Sequence, residues 1–409
     1  MRVCFTIILF LVCVNCRCGD FEIRDGDTVV FLGDSITAAQ TYGKIIENYT
    51  LLRFPERKVR FINAGWGGDT AAGGLKRLER DVLSRDATLV TVAYGVNDIG
   101  WGMKADDEHK RIYLDGIRGI VEQCKKRGAR VFICSAAITG ADPFKSETGF
   151  LQKMCDEGMA LSRSLGGGAI DVQRTMREIQ KKVWKANDQT TDPKTKTSLH
   201  AEDTVHLNEY GQIAMAYAIL KGLGAPADVS AVDIDARRPD AALTTGCAAS
   251  RLRGDTSGIE FTRLDKGLPL NLGLAGILSY RFVPIPDQLN RYMLTVRNLD
   301  EGQYEIGVDG RVIGKYSSRD LAAGVNIASA TTNAWEPGGT WDAQAAVLRS
   351  LTDARSDVTS ARKTAFASLT QPARFGRVKT GTDSLNARIE TVQRATARPQ
   401  LCHFVIKKN

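Results

Sequence analysis

From Thr28 onward the chain alternates between two hydrophobic rhythms. Five short apolar runs, Thr28 to Leu32, Val59 to Ile62, Thr88 to Ala93, Arg130 to Cys134 and Ala169 to Val172, have the length of strands. Between them, residues 70–83, 107–127 and 150–165 return an apolar side chain every three or four positions with charges between, and Leu207 to Leu223 closes the series as another helix. Strand and helix in alternation predict an α/β fold: a parallel five-stranded sheet covered by helices on both faces, a three-layer sandwich. In such sheets a ligand lies beyond the carboxyl ends of the strands.

The rhythm changes after Gly224-Ala225-Pro226-Ala227. Ser230 to Asp255 has no sustained period, and residues 258–333 read as short strands: IEFTRL, ILSYRFV, RYMLTVRNL and QYEIGVDGRVIGKY, the last folded at a Val308-Asp309-Gly310-Arg311 hairpin turn. From Gly339, apolar positions at Trp341, Ala345, Leu348, Leu351, Ala354, Val358, Ala361, Ala365 and Leu369 predict one long amphipathic helix, with a shorter one from Asp383 to Ala397. The expected organisation is a leader over 1–18, an α/β domain over 19–228, a β-rich extension over 229–338 and a basic helical tail over 339–409.

The leader is read from Arg2 followed by a stretch from Val3 to Val14 that is apolar except for Thr6, which is the pattern of a signal peptide. A membrane span needs about 20 apolar residues. Export, periplasmic or secreted, is therefore the expectation, with an uncleaved anchor or acylation of Cys16 or Cys18 as the alternatives. Four of the nine cysteines lie in this leader. The remaining five, at 124, 134, 155, 247 and 402, are odd in number and partly set in apolar runs, so buried free thiols are expected rather than a disulfide framework. With 43% apolar residues in 409 the chain can bury a full core. The formal charge of +8 is uneven, because residues 341–409 hold 12 Lys+Arg against 5 Asp+Glu. Such a tail can hold an anionic polymer or envelope surface, or simply form a solvated helical face. Nucleic acid is not an expected partner, since no reader motif is present.

Candidate chemistry sits where the strands end. The first run stops at Gly33-Asp34-Ser35, the second leads into Gly65-Trp66-Gly67-Gly68-Asp69-Thr70, and the third into Gly95-Val96-Asn97-Asp98; Asp203 and His206 stand far downstream with DxxH spacing. A serine hydroxyl becomes a nucleophile when a histidine takes its proton and a carboxylate fixes the imidazole. The glycine loop and Asn97 can donate hydrogen bonds to the oxyanion that forms. Each element has a plainer reading: a turn, a flexible loop, a helix cap at Asn97, or metal ligands at Asp203 and His206. The histidines beyond the leader, 109, 200, 206 and 403, form no HxH or HExxH arrangement. The first loop also lacks the further glycine and lysine of a phosphate loop.

In these four segments, in this order, residues 25–224 resemble the SGNH, or GDSL, hydrolase superfamily. The resemblance implies a flavodoxin-like sheet, ester hydrolysis and no cofactor or metal. It assigns Ser35 as nucleophile, Asp203 and His206 as the rest of a triad, and the Ser35 N–H, the Gly68 N–H and the Asn97 amide as the oxyanion hole. Trp66 and Trp101 stand close to Gly68 and Asn97 in sequence, where indoles suit sugar rings, or else pack as lid or core. The expected substrate is a small ester or acylated glycan, with acetyl as the acyl group. The alternatives are a lipase, lysophospholipase or thioesterase, and a catalytically silent glycan-binding surface protein.

Overall fold

A computed structural model describes residues 20–145, 147–367 and 376–409. The expected leader over 1–18 and the helical position Leu369 lie outside the described residues. The first five strands are β1 (Thr28–Gly33), β2 (Arg60–Gly65), β3 (Leu89–Ala93), β4 (Arg130–Cys134) and β5 (Gly168–Ile170). All pair in parallel, in the order β2-β1-β3-β4-β5. That is the flavodoxin-like order, with the chain reversing direction across the sheet between β1 and β3. Every residue of β1 is buried, which is why its sequence is continuously apolar rather than alternating.

The two sheet faces divide the core by a period of two. Val29 and Phe31 face helices Thr41–Arg53, Val172–Asp188 and Glu209–Gly222, while Val30 and Leu32 face Ala71–Lys76, Asp107–Lys126 and Phe150–Ser164. Two of these helices were not predicted by periodicity. Thr41–Arg53 buries residues all round its circumference, Glu47, Asn48 and Arg53 included, so no polar stripe marks it. Val172–Asp188 begins at the end of the fifth predicted run.

Beyond residue 227 two more sheets form. β6 (Asp228–Asp235), β7 (Leu243–Thr245), β8 (Cys247–Asp255), β9 (Gly258–Asp265), β10 (Arg291–Arg297), β11 (Gln303–Val308), β12 (Arg311–Ser317), β13 (Val325–Asn326) and β14 (Cys402–Lys408) are arranged as β13-β10-β6-β7 and β12-β11-β14-β9-β8. Three expectations change here. Ser230 to Asp255 is not irregular but carries three strands, one of which, β7, is wholly exposed and so shows no alternation. The ILSYRFV run is not a strand. Its start belongs to helix Gly273–Ser279, and Pro284 and Pro286, which have no N–H to give a ladder, follow directly. The last residues do not belong to a helical tail. β14 is the middle strand of its sheet, with Cys402, Phe404 and Ile406 buried on alternate positions.

Helices Thr340–Ala367 and Gly376–Thr396 leave the β region and lie along helix Thr41–Arg53. Trp341 is fully buried at the start of this excursion, donating Nε1–H to the Ala328 carbonyl at 3.0 Å and lying near Tyr292 and Phe404. Farther along, Arg355 pairs with the buried Glu47 and, at 2.9 Å, with Glu390. Thr352 donates to Asn48 at 2.6 Å, and Gln393 donates to both Glu47 and Thr352. One apolar cluster runs from Val29 and Phe31 through Leu223 and Val232 to Trp341 and Ile406, so the extension shares a core with the α/β layer. Cys124, Cys134, Cys155 and Cys402 are buried free thiols, pushed up to about 12 by burial, and Cys247 is free and half-buried.

Candidate active site

β1 delivers Ser35. The chain leaves the strand at Gly33, where a Cβ would stand 2.1 Å from Thr37 Oγ1 and 2.8 Å from the Ala93 carbonyl, so only glycine permits so close a turn. Asp34 then caps a one-turn helix, Ser35–Ala38, its Oδ1 accepting from the Ile36 N–H at 2.9 Å. Ser35 occupies the first helical position, where a backbone N–H has no partner within the helix.

A separate loop brings His206 to Ser35. His200 and Leu207 pair as an isolated bridge, and the Ala201 N–H donates to the His206 carbonyl at 2.8 Å, closing residues 201–206 into a tight turn. Asp203 Oδ1 accepts the N–H groups of Val205 at 2.9 Å and His206 at 2.8 Å. Its other oxygen, Oδ2, lies 2.5 Å from His206 Nδ1, and His206 Nε2 lies 2.9 Å from Ser35 Oγ. The proton on Nδ1 faces a carboxylate, so Nε2 is left as the acceptor for the serine proton. The hydrogen bond from His206, with those from the two backbone N–H groups, holds the Asp203 carboxyl down to about 2, so it stays ionised.

The other two segments converge on the same edge. The Trp66 N–H donates to the Gly33 carbonyl at 3.0 Å, fixing the loop after β2 against the turn that carries Ser35. Gly68 has φ +72°, a left-handed conformation that glycine takes without steric cost. Asn97 Nδ2 donates to the Asp69 carbonyl at 3.0 Å, and Trp101 Nε1 donates to Asn97 Oδ1 at 2.9 Å. These two bonds fix which end of the amide is nitrogen and leave its second N–H free to meet a ligand. Trp101 also presents its ring at 5.5 Å to His206, edge to face, so one indole touches both the imidazole and the Asn97 amide. Trp101 and Trp66 are 50% and 42% exposed, which leaves both faces of the site open to a ligand.

Several supporting residues are not recognisable in the sequence. Arg77, at the break between two short helices, donates to the Ala64 carbonyl at 2.7 Å, to the Gly33 carbonyl at 3.2 Å and to Tyr94 Oη at 2.8 Å, and pairs with Asp69, tying the ends of β1, β2 and β3 together. Asp98 accepts the Ala71 N–H at 2.9 Å, anchoring the helix after the glycine loop. Burial pushes the Asp98 carboxyl up to about 7 and that of Asp34 up to about 6. Lys363 arrives from the far end of helix Thr340–Ala367, donates to the Gly65 carbonyl at 2.6 Å and sits 4.9 Å from the Trp66 ring. Asp34 and Asp98 had a visible signal, because each adjoins a motif residue. Arg77 and Lys363 had none, since only the folded chain brings them to the loop.

Residues 31–214 match the model of the GDSL-like lipase/acylhydrolase family. A curated relative, an acetylxylan esterase of Geobacillus stearothermophilus, is 24% identical over 227 residues, covering 50% of this chain and 96% of its own length. Among solved structures, a gut microbial diltiazem-metabolizing enzyme superposes with a TM-score of 0.82 at 22% identity, over 95% of this chain and 98% of that one, so the fold extends through the β-rich and helical extension. A solved acetylxylan esterase from G. stearothermophilus, 18% identical, spans 50% of this chain and 96% of its own at a TM-score of 0.40. With its parallel sheet and its four motif segments, the part of the chain over residues 31–214 is a GDSL-like lipase/acylhydrolase domain of the SGNH, or GDSL, superfamily, and the protein is a hydrolase of ester bonds.

Proposed function

We propose that the protein is a serine esterase working through an acyl-enzyme, and that its substrates are small acyl esters, chiefly acetyl groups on carbohydrate. The observation that carries the serine mechanism is the continuous line from Ser35 Oγ through His206 to Asp203, at 2.9 and 2.5 Å. Ser35 attacks the ester carbonyl as His206 Nε2 takes its proton, and Asp203 favours the imidazolium that results. The oxyanion is met by the N–H groups of Ser35 and Gly68 and by the amide hydrogen of Asn97 that the Asp69 carbonyl does not take. His206 returns the proton to the leaving alcohol oxygen, and water repeats the sequence to release the acid.

The carbohydrate reading draws support from the acetylxylan esterase relative and from two exposed indoles at the rim, where flat apolar faces suit sugar rings. Export through the leader belongs to the same proposal, since an esterase acting on a polymer must meet it outside the cell. Attachment to an anionic surface is a further part of it, carried by whatever charge of residues 341–409 is left after Arg355 pairs with Glu47 and Glu390 and Arg362 with Asp383. The test is a panel of aryl esters of increasing acyl length run beside acetylated xylo-oligosaccharides, with an active-site phosphonate as label. Exclusive labelling of Ser35 and preference for acetyl are expected; labelling of another serine, or rates rising toward long acyl chains, would overturn the proposal.

A further inference from the structure

Helix Thr340–Ala367 meets the catalytic edge of the α/β layer with one polar face. Thr352, Ser356, Ser360 and Lys363 recur every three or four residues, and each bonds to the layer: Thr352 to Asn48, Ser356 and Ser360 to Gln40, and Lys363 to the Gly65 carbonyl. The last three contacts fall on the two segments that build the site. Gln40 follows the short helix that begins at Ser35 and holds φ +68°, a conformation that residues with a Cβ rarely take, and Ser356 and Ser360 fix its side chain there. Gly65 ends β2, which is the edge strand of its sheet, so carbonyls on its outer side meet no neighbouring strand.

Lys363 supplies the missing donor. The peptide between Gly65 and Trp66 is held at both ends: its N–H donates to the Gly33 carbonyl at 3.0 Å, and its oxygen accepts from the Lys363 ammonium at 2.6 Å. A hydrogen bond from a charged donor is about twice as strong as a neutral one. The same ammonium lies 4.9 Å from the Trp66 ring, a cation–π contact that holds the next residue as well. The held peptide leads straight into the turn that carries Gly68, which the Asp69 N–H closes onto the Trp66 carbonyl at 3.3 Å, with Gly68 at φ +72° in its third position. Gly65 also packs so closely on the Ser35 helix that a Cβ would stand 2.2 Å from the Ala38 nitrogen. A shift of this peptide therefore moves Gly68 relative to Ser35. We propose that Lys363 is a positioning residue for the ester hydrolysis: it locks the Gly65–Trp66 peptide so that the Gly68 N–H is aimed at the oxyanion, and through it the C-terminal extension takes part in turnover as well as in stability. The inference rests on the serine-esterase reading, in which Gly68 is an oxyanion donor.

The test compares Lys363→Met and Lys363→Arg with the native full-length protein on p-nitrophenyl acetate, a neutral ester that gives the ammonium no charge to bind, with urea unfolding of each. Methionine keeps the apolar stem and removes the donor. Its kcat should fall roughly 10- to 100-fold with KM little changed, the mark of a misaligned transition-state contact. The urea midpoint should stay at the native value, because the Lys363 side chain is exposed. A trifluoromethyl ketone, whose adduct with Ser35 places an oxyanion in the same hole, should bind more weakly by a similar factor. Arginine, still a cation able to donate to the carbonyl, should recover most of the lost kcat. Full kcat in Lys363→Met would overturn the inference, as would a rise in KM alone, which would make Lys363 a substrate contact. So would an equal loss in both variants with a lowered urea midpoint, which would make its role structural. Failure of the underlying reading looks different: the native protein would leave p-nitrophenyl acetate uncleaved and Ser35 unlabelled by a phosphonate.

Discussion

Replacing Asp98 with asparagine tests whether a buried carboxyl beneath the glycine loop makes the fold sensitive to pH. Asp98 is 6% exposed, Oδ1 accepts the Ala71 N–H, and Oδ2 has no partner among the described residues. Burial raises the carboxyl from 3.8 to about 7, with the charge of Asp34 as a further cause. A group whose folded pKa lies above its unfolded value stabilises fully below the unfolded value, and that contribution is lost as pH rises through the folded one. At about 1.36 kcal/mol per pH unit, Asp98 alone costs the native protein about 4 kcal/mol between pH 4 and pH 8. Asparagine keeps the oxygen that accepts from Ala71 and has no proton to lose. Urea unfolding at pH 4, 6 and 8 should show the native protein losing ground to Asp98→Asn by about 4 kcal/mol across that range. Asp34 titrates in both proteins and largely cancels in the difference. A difference that stays constant from pH 4 to 8 would refute the reasoning and mean that Asp98 is ionised throughout.

Ser35→Ala should remove nearly all turnover with the melting temperature unchanged; retention of full activity would exclude Ser35. Asn97→Ala should lower kcat by about 10²- to 10³-fold with KM little affected, the signature of a donor used in the transition state. Asp203→Asn should lower kcat by about 10⁴-fold with the fold intact, because an amide cannot hold the imidazole in the required tautomer, and a loss under tenfold would place another carboxylate in that role. Arg355→Ala should destabilise the protein by about 3–5 kcal/mol in urea unfolding, since it strands Glu47 inside the interface with the extension. A loss below about 1 kcal/mol would mean the two helices are held loosely. On the same reasoning a chain shortened to residues 20–228 should be insoluble or much less stable.

The proposed catalytic set could be read from the sequence because Ser35, Gly68 and Asn97 each follow the end of a strand, and a parallel sheet brings such ends together whatever the side chains between them. Ser35, Gly68 and Asn97 lie on loops fixed by β1, β2 and β3, and Asp203 meets His206 through a turn only a few residues long, so local spacing already specifies the geometry. Strands that bury both faces, such as β1, announce themselves as apolar runs. What lacked a local signature was decided by the tertiary structure alone. Helix Thr41–Arg53 shows no amphipathic period because the extension covers its outer side, and its Glu47 can be buried because Arg355, more than 300 residues away, comes to meet it. Lys363 reaches the Gly65 carbonyl by packing between elements remote in sequence. The extension reads as a separate β-rich and helical appendage, but burial joins it to the α/β layer: apolar surface left exposed on either part is removed from water only when the two share one core.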